Sequence, residues 1–197
     1  MKEKMIILLM AAVVAGCATA STSREPALGV AAADSSAIRT DIAYLASDKL
    51  EGRLTGSPGN DSAAAYIARR YRYLKLNAPY PGYLQSFIAR SAAAAHTGDT
   101  VGLKTQNVVA MLKGSDAQLA NKYVVIGAHF DHLGRSTQFA MDPQAGDAIR
   151  NGADDNASGT AAVLQLARML SISRPKHSVI FVNFSGEEEG LLGSQYF

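Results

Sequence analysis

Residues 123–128 read YVVIGA, residues 158–170 read SGTAAVLQLARML, and residues 179–184 read VIFVNF. The first and last are short apolar runs rich in Val, Ile and Phe, as expected of strands buried on both faces. The middle run is long enough for a helix, with Ala162, Leu166 and Met169 expected along one side and Val163 and Leu170 flanking them. Strand, helix, strand in that order predicts a parallel pair joined by a right-handed crossover.

Upstream, Asp34 or Ser35 can cap a helix in which Ile38, Ile42 and Leu45 share a face. Ser57-Pro58 is a second helix start, with Ile67, Tyr71 and Leu74 as its apolar stripe, ending near Asn77 ahead of Pro79 and Pro81. The intervening EGRLTGS of residues 51–57 reads as a loop. Tyr83–Ile88 is a weak strand and Asn107–Leu112 a stronger one. Gly114-Ser115-Asp116 offers a turn that would pair 107–112 with 123–128 in antiparallel fashion. The segment 133–153 is a long polar loop, of the kind that is usually functional or mobile. The expected fold class is α/β, a mixed β-sheet sandwiched by helices.

Three polar clusters lie just after expected strands or at the entry to a helix, where open α/β sheets bind ligands. His129 and Asp131 are two residues apart, so a metal-binding imidazole and the carboxylate that fixes its tautomer can point the same way. Asp154-Asp155-Asn156 sit in a small-residue turn before a helix. Helix capping needs only one such residue, and the flanking glycines allow close backbone approach to a bound group. Glu187-Glu188-Glu189 follow strand 179–184. Acidic residues suit a helix N-terminus, and a paired Glu-Glu also suits hydrolysis, one carboxylate on a metal and its neighbour as general base.

The segments GAHFDHLG (127–134), NGADDNASG (151–159) and FSGEEEGLLGS (184–194) resemble the signatures of metallopeptidase family twenty-eight, the co-catalytic di-zinc aminopeptidases. Residues 41–76, beginning DIAYLASDKLEGRLTGSPGNDSAAAYIA, resemble the segment preceding that catalytic core in many bacterial members. The resemblance implies two zinc ions and a peptide substrate. It makes His129 a ligand of one zinc, Asp155 the bridging ligand and Glu188 a ligand of the other. It makes Glu187 the general base and Asp131 the acid supporting His129. It also implies a cis peptide bond between Asp155 and Asn156, and it gives His132, Asp154 and Glu189 no metal role.

The family uses a further aspartate and a further histidine as ligands. His177, Asp142 and Asp147 match neither position, and the sequence ends at Phe197 within an expected helix. The expectation is therefore a catalytic domain incomplete at its C-terminus, with uncovered sheet and no activity as it stands. A glutaminyl cyclase-like enzyme and a non-catalytic peptidase-like binding domain remain as alternatives.

Composition fits this class. Hydrophobic content of 48% and charged content of 18% suit a globular chain. A net charge of +2 with no internal basic run gives no sign of a nucleic-acid partner. Lys2 and Lys4 precede an apolar run from Met5 to Ala15, too short to span a bilayer and followed by small residues, which is the signal-peptide pattern. Cys17, the sole cysteine, follows Val14-Ala15-Gly16 as in a bacterial lipobox, although cleavage after Ala18-Thr19-Ala20 also fits. The organisation expected is a signal peptide over 1–16, a tether over 17–33 and a partial zinc-peptidase domain over 34–197. The mature protein would be exported, periplasmic or anchored at the outer membrane through a lipid on Cys17.

Overall fold

The computed structural model describes residues 31–90, 102–136 and 140–197. The expected signal peptide, the lipidation site at Cys17 and most of the tether lie outside the described residues. No helix among the described residues is long and apolar enough to cross a membrane.

Helix α1 spans Ser35–Leu45, and Asp34 caps it by accepting from the amides of Ser36 and Ala37 at 3.0 Å each. Helix α2 spans Pro58–Tyr73, and Ser57 Oγ accepts from the Asn60 amide at 3.2 Å. Proline at the first helical position gives up no hydrogen bond there. The helix stops four residues earlier than Asn77, because Leu74 closes the last turn and Lys75 takes a left-handed conformation. Ala63, Ala64, Ile67, Ala68 and Tyr71 form its buried face. Between α1 and α2 the expected loop tightens into a 3-10 turn over Asp48–Arg53, in which Glu51, Gly52 and Arg53 all have positive φ.

Strands β1 (Leu84–Ala89), β2 (Leu103–Leu112), β3 (Tyr123–His129) and β4 (Ser178–Phe184) form one mixed sheet in the order β1-β2-β4-β3. β1 and β2 are antiparallel, β2 and β4 are antiparallel, and β3 runs parallel to β4 with Ile126 opposite Phe181. Helix α3 (Gly159–Ser173) lies between β3 and β4 in sequence, so the parallel pair is joined through a helix as the sequence predicts.

Two expectations about neighbours fail. β2 and β3 do not form an antiparallel pair, because β4 lies between them. The 113–122 segment crosses the entry to β4 instead of folding into a hairpin. Ser115 N donates to Pro175 O at 2.9 Å, and a Cβ on Gly114 would fall 2.3 Å from Lys176 O. Placing β4 centrally buries Val179, Phe181 and Val182. Conversely, β3 is the edge strand of the described sheet and is not buried on both faces: Tyr123, Val124 and Val125 are about half exposed.

The buried stripe of α3 also differs from expectation. Thr160, Ala161, Val163, Leu164 and Ala167 face inward, while Ala162 and Leu166 face out. The orienting contact is Thr160 Oγ1, which donates to His129 O at 2.8 Å and pins the helix start to the end of β3.

The core forms on the face where α2 and α3 meet the sheet, around Leu45, Ile67, Tyr71, Val108, Phe130, Leu164 and Phe181. A short helix α4 (Leu192–Tyr196) covers part of the opposite face, with Tyr196 stacked on Phe87 at 4.9 Å between ring centroids.

Candidate metal centre

β3 and β4 run parallel, so their carboxyl ends deliver two loops to one edge of the sheet. His129 is the last residue of β3. Its ring Nδ1 lies 3.2 Å from the Asp131 carbonyl and 3.7 Å from Asp131 Oδ1. Its Nε2 points the other way, 3.1 Å from Asp155 Oδ1 and 3.9 Å from Glu187 Oε2.

Asp131 is fully buried behind this ring. Thr55 Oγ1 donates to its Oδ2 at 3.0 Å, and the Glu188 amide donates to the same oxygen at 3.3 Å. Its Oδ1 has no hydrogen-bond partner. A buried carboxylate oxygen left bare is costly, and the His129 ring nitrogen stands 3.7 Å from it.

Asp155 comes from the wide turn Ala153–Ser158, where it and Asn156 leave helical geometry and the peptide between them is cis. Asn156 Oδ1 accepts from the Gly159 amide at 2.9 Å, so the turn closes onto the first residue of α3. The Asp155 carboxylate itself is 65% exposed, open to the space in front of His129.

Glu187 and Glu188 follow the Ser185-Gly186 turn after β4. Ser185 is buried, its hydroxyl 2.8 Å from Thr105 Oγ1 and its amide donating to Asn107 Oδ1 at 3.1 Å. Gly186 has φ +77, a conformation that suits glycine. The carboxylates therefore leave a braced turn and enter the site from β4.

Among the described residues, two trios have ligand atoms within 4.8 Å of one another: His129, Glu187 and Glu188, and His132, Asp155 and Glu188. The five sequence-predicted residues converge, four of them presenting side chains to one space with Asp131 behind. His132 joins them, although the sequence reading set it aside. Asp142 instead pairs with Arg150 at 2.9 Å.

The charges strain against one another. Burial disfavours a proton on His129, but Asp131, Glu187 and Asp155 outweigh it and raise its pKa to about 9. Burial also raises the Glu187 pKa. His129 opposes that rise, while Glu188, Asp131 and Asp155 reinforce it. Imidazole and carboxylate donors converging at this distance fit a zinc ion, which would relieve the crowding of negative charge. The bare Asp131 oxygen fits the same reading, since it can receive the Nδ1 proton of His129 and leave Nε2 free to ligate.

One residue essential to this geometry escaped the sequence reading. Arg53 is fully buried. Its guanidinium donates to the carbonyls of Phe130 (2.6 Å), Asn151 (2.7 Å), Gly152 (2.9 Å) and Leu45. Burial lowers its pKa to about 10, with Asp131 and Asp155 opposing the shift, so it keeps its charge at neutral pH. Nothing in EGRLTGS marks that arginine as buried. The only local hint is the run of small and turn-forming residues around it.

Residues 107–197 match the model of peptidase family M28. A probable zinc metalloprotease from Pyrenophora tritici-repentis is 43% identical over 88 residues, which is 45% of this chain and 18% of that protein. The alkaline phosphatase isozyme conversion protein of Escherichia coli is 28% identical over 144 residues, 73% of this chain and 40% of that one. This chain therefore spans less than half the length of either relative. A Zn-dependent exopeptidase from Parabacteroides distasonis superposes with TM-score 0.68 at 19% identity, covering 85% of this chain and 56% of that one. A glutaminyl cyclase from Tannerella forsythia superposes with TM-score 0.67 at 18% identity and the same coverage. These two structures share the fold of this chain, a mixed sheet with helices of the zinc exopeptidase type. Three loops built around a donor set suited to zinc all lie within residues 107–197, the part of this chain that matches peptidase family M28.

Proposed function

We propose that the chain serves a zinc-dependent aminopeptidase, removing N-terminal residues from peptides. The observation that carries this reading is the convergence of His129 Nε2, Asp155, Glu187 and Glu188 at the carboxyl ends of β3 and β4, with buried Asp131 behind the imidazole.

In this reading His129, Asp155 and Glu188 would hold zinc. Bound zinc supplies Lewis acidity toward the scissile carbonyl. Asp131 holds the Nδ1 proton of His129 and keeps Nε2 directed at Asp155. Glu187 is 35% exposed, so water reaches it, and it stands 3.9 Å from His129 Nε2 beside the proposed ligands. It takes a proton from the attacking water as the water oxygen bonds to the carbonyl carbon. It then passes that proton to the departing amine nitrogen as the C–N bond breaks.

A second reading has a specific observation behind it, because the glutaminyl cyclase superposes as well as the exopeptidase does. The curated relatives named as zinc metalloproteases favour hydrolysis. The full protein, dialysed against zinc, is assayed on leucine p-nitroanilide and on a peptide with N-terminal glutamine. Chelator-sensitive release of p-nitroaniline is expected. Cyclisation without hydrolysis overturns the aminopeptidase reading.

The Val14-Ala15-Gly16-Cys17 run supports export and a lipid anchor at Cys17. Mass spectrometry of the mature N-terminus tests it, and a free terminus at Ser21 overturns it.

A further inference from the structure

The cluster holds one more side chain than the proposed chemistry uses. His132 Nδ1 lies 2.6 Å from Glu188 Oε1. A carboxylate can only accept, so Nδ1 carries the proton and donates. Both groups are largely sheltered, with side-chain exposures of 13% and 16%, and the bond is correspondingly less exposed to competition from water.

The ring is held in place from two sides. The His132 amide donates to Arg53 O at 3.3 Å, tying its backbone to the buried 3-10 turn. The ring lies directly against Gly152, where an added Cβ would come within 2.6 Å of both Cγ and Cδ2. Gly152 has φ +55 and immediately precedes the turn that carries Asp155. The absence of a side chain at 152 therefore makes the space that His132 occupies, beside two of the proposed ligands.

A glutamate has three rotatable bonds and two equivalent oxygens. A fixed donor on one oxygen reduces that freedom and presents the other in a set direction. We infer that His132 is a positioning residue for Glu188, donating Nδ1–H to Oε1 so that Oε2 is left directed at the metal. This rests on the proposed role of Glu188 as a ligand. His132 also shares a 4.8 Å trio with Asp155 and Glu188, so direct ligation is the competing arrangement. A proton on Nδ1 at hydrogen-bond distance argues against that nitrogen binding metal.

The test compares the full wild-type chain with His132→Ala and His132→Asn. Asparagine carries its amide nitrogen on Cγ, as histidine carries Nδ1, and so keeps a donor there. Cobalt and zinc affinities are measured by competition with a chromophoric chelator, with the cobalt visible spectrum as a readout of ligand geometry. Circular dichroism checks the fold. His132→Ala is expected to bind metal on the order of tenfold more weakly, the size of effect seen when a group that orients a ligand is lost. His132→Asn should return to within about threefold of wild type with its cobalt spectrum restored. Wild-type affinity in His132→Ala overturns the inference. Asparagine performing no better than alanine also overturns it, and points to direct ligation. A wild-type chain that takes up no metal removes the ligand role of Glu188 itself, and is thereby distinguished from failure of His132 alone. Should His132→Ala not fold, nitrogen NMR of the zinc-loaded wild type decides: an Nδ1–H tautomer at His132 with Nε2 unshifted by metal supports the inference, and an Nε2–H tautomer or a metal-shifted Nε2 overturns it.

Discussion

Arg53 Nη2 donates to the carbonyl of Gly152 at 2.9 Å, across 99 residues of sequence. With the bonds to Phe130 and Asn151 it ties the N-terminal helical segment to both the His129 loop and the Asp155 turn. The segment before the matched residues 107–197 is thus part of the framework of the site. Arg53→Met should leave these carbonyls buried without donors and remove the positive charge facing Asp131 and Asp155. A loss of about 3–5 kcal/mol is expected, as when one member of a buried charge network is deleted. Arg53→Lys should recover only part of it, because an ammonium cannot reproduce the planar fork. Urea unfolding midpoints measure both. A loss within about 0.5 kcal/mol for Arg53→Met contradicts the framework role.

The two adjacent glutamates separate by function. Glu187→Gln removes the proposed proton carrier and none of the proposed ligands, so zinc content should stay at the wild-type level. Turnover should fall by roughly 10²–10⁴, the usual contribution of general acid–base catalysis. Glu188→Gln should lower zinc content as well as turnover. Metal analysis beside the peptidase assay distinguishes them, and equal zinc content with equal residual rate in the two variants refutes the division of roles.

Zinc uptake should release protons at pH 7. In the metal-free protein the His129 pKa is raised to about 9, so the ring is protonated, whereas an imidazole ligand must be neutral. Apparent affinity should therefore increase with pH from 7 to 9, by about tenfold per unit for this one displaced proton, and flatten above it. Isothermal titration in buffers of different ionisation enthalpy counts the protons directly. Binding with no net proton exchange at pH 7 contradicts the electrostatic picture of the site.

The site was more legible than the sheet that holds it. His129, Asp131, Glu187 and Glu188 stand in short motifs at or just after a strand end, and Asp155 in the turn into α3, so the sequence marks them as candidate donors and the family resemblance suggests their roles. Strand order depends on which segment gains most by central burial. YVVIGA and VIFVNF read alike, yet Val182 is buried and Val125 is half exposed. The face of α3 was misjudged because its apolar residues nearly encircle it, and the choice is made by the Thr160 contact to His129. Arg53 was missed, and the contact of His132 with Glu188 was not foreseen, because both rest on partners far along the chain, the Gly152 carbonyl and the Glu188 carboxylate.

A pH effect on stability should arise away from the metal site, at Asp41. This residue is 1% exposed and joins α1 to α2, accepting from Tyr66 OH at 2.5 Å and from Arg70 Nη2 at 3.3 Å. Burial raises its pKa above 3.8, and the bonds to Tyr66 and Arg70 only partly offset that rise. The sign follows from linkage. The folded state holds the Asp41 proton more tightly than the unfolded state. The contribution of Asp41 is therefore most favourable below the unfolded pKa and is lost as pH rises through the folded pKa. One group can change stability by at most about 1.4 kcal/mol per pH unit. Asp41→Asn keeps an acceptor for Tyr66 and has no proton to lose. The wild type should therefore gain on Asp41→Asn as pH falls from 7 toward 3, measured as the difference between their denaturant midpoints. A difference that shrinks on acidification would mean that the ion pair with Arg70 outweighs burial, so that Asp41 is stabilising as a charged carboxylate.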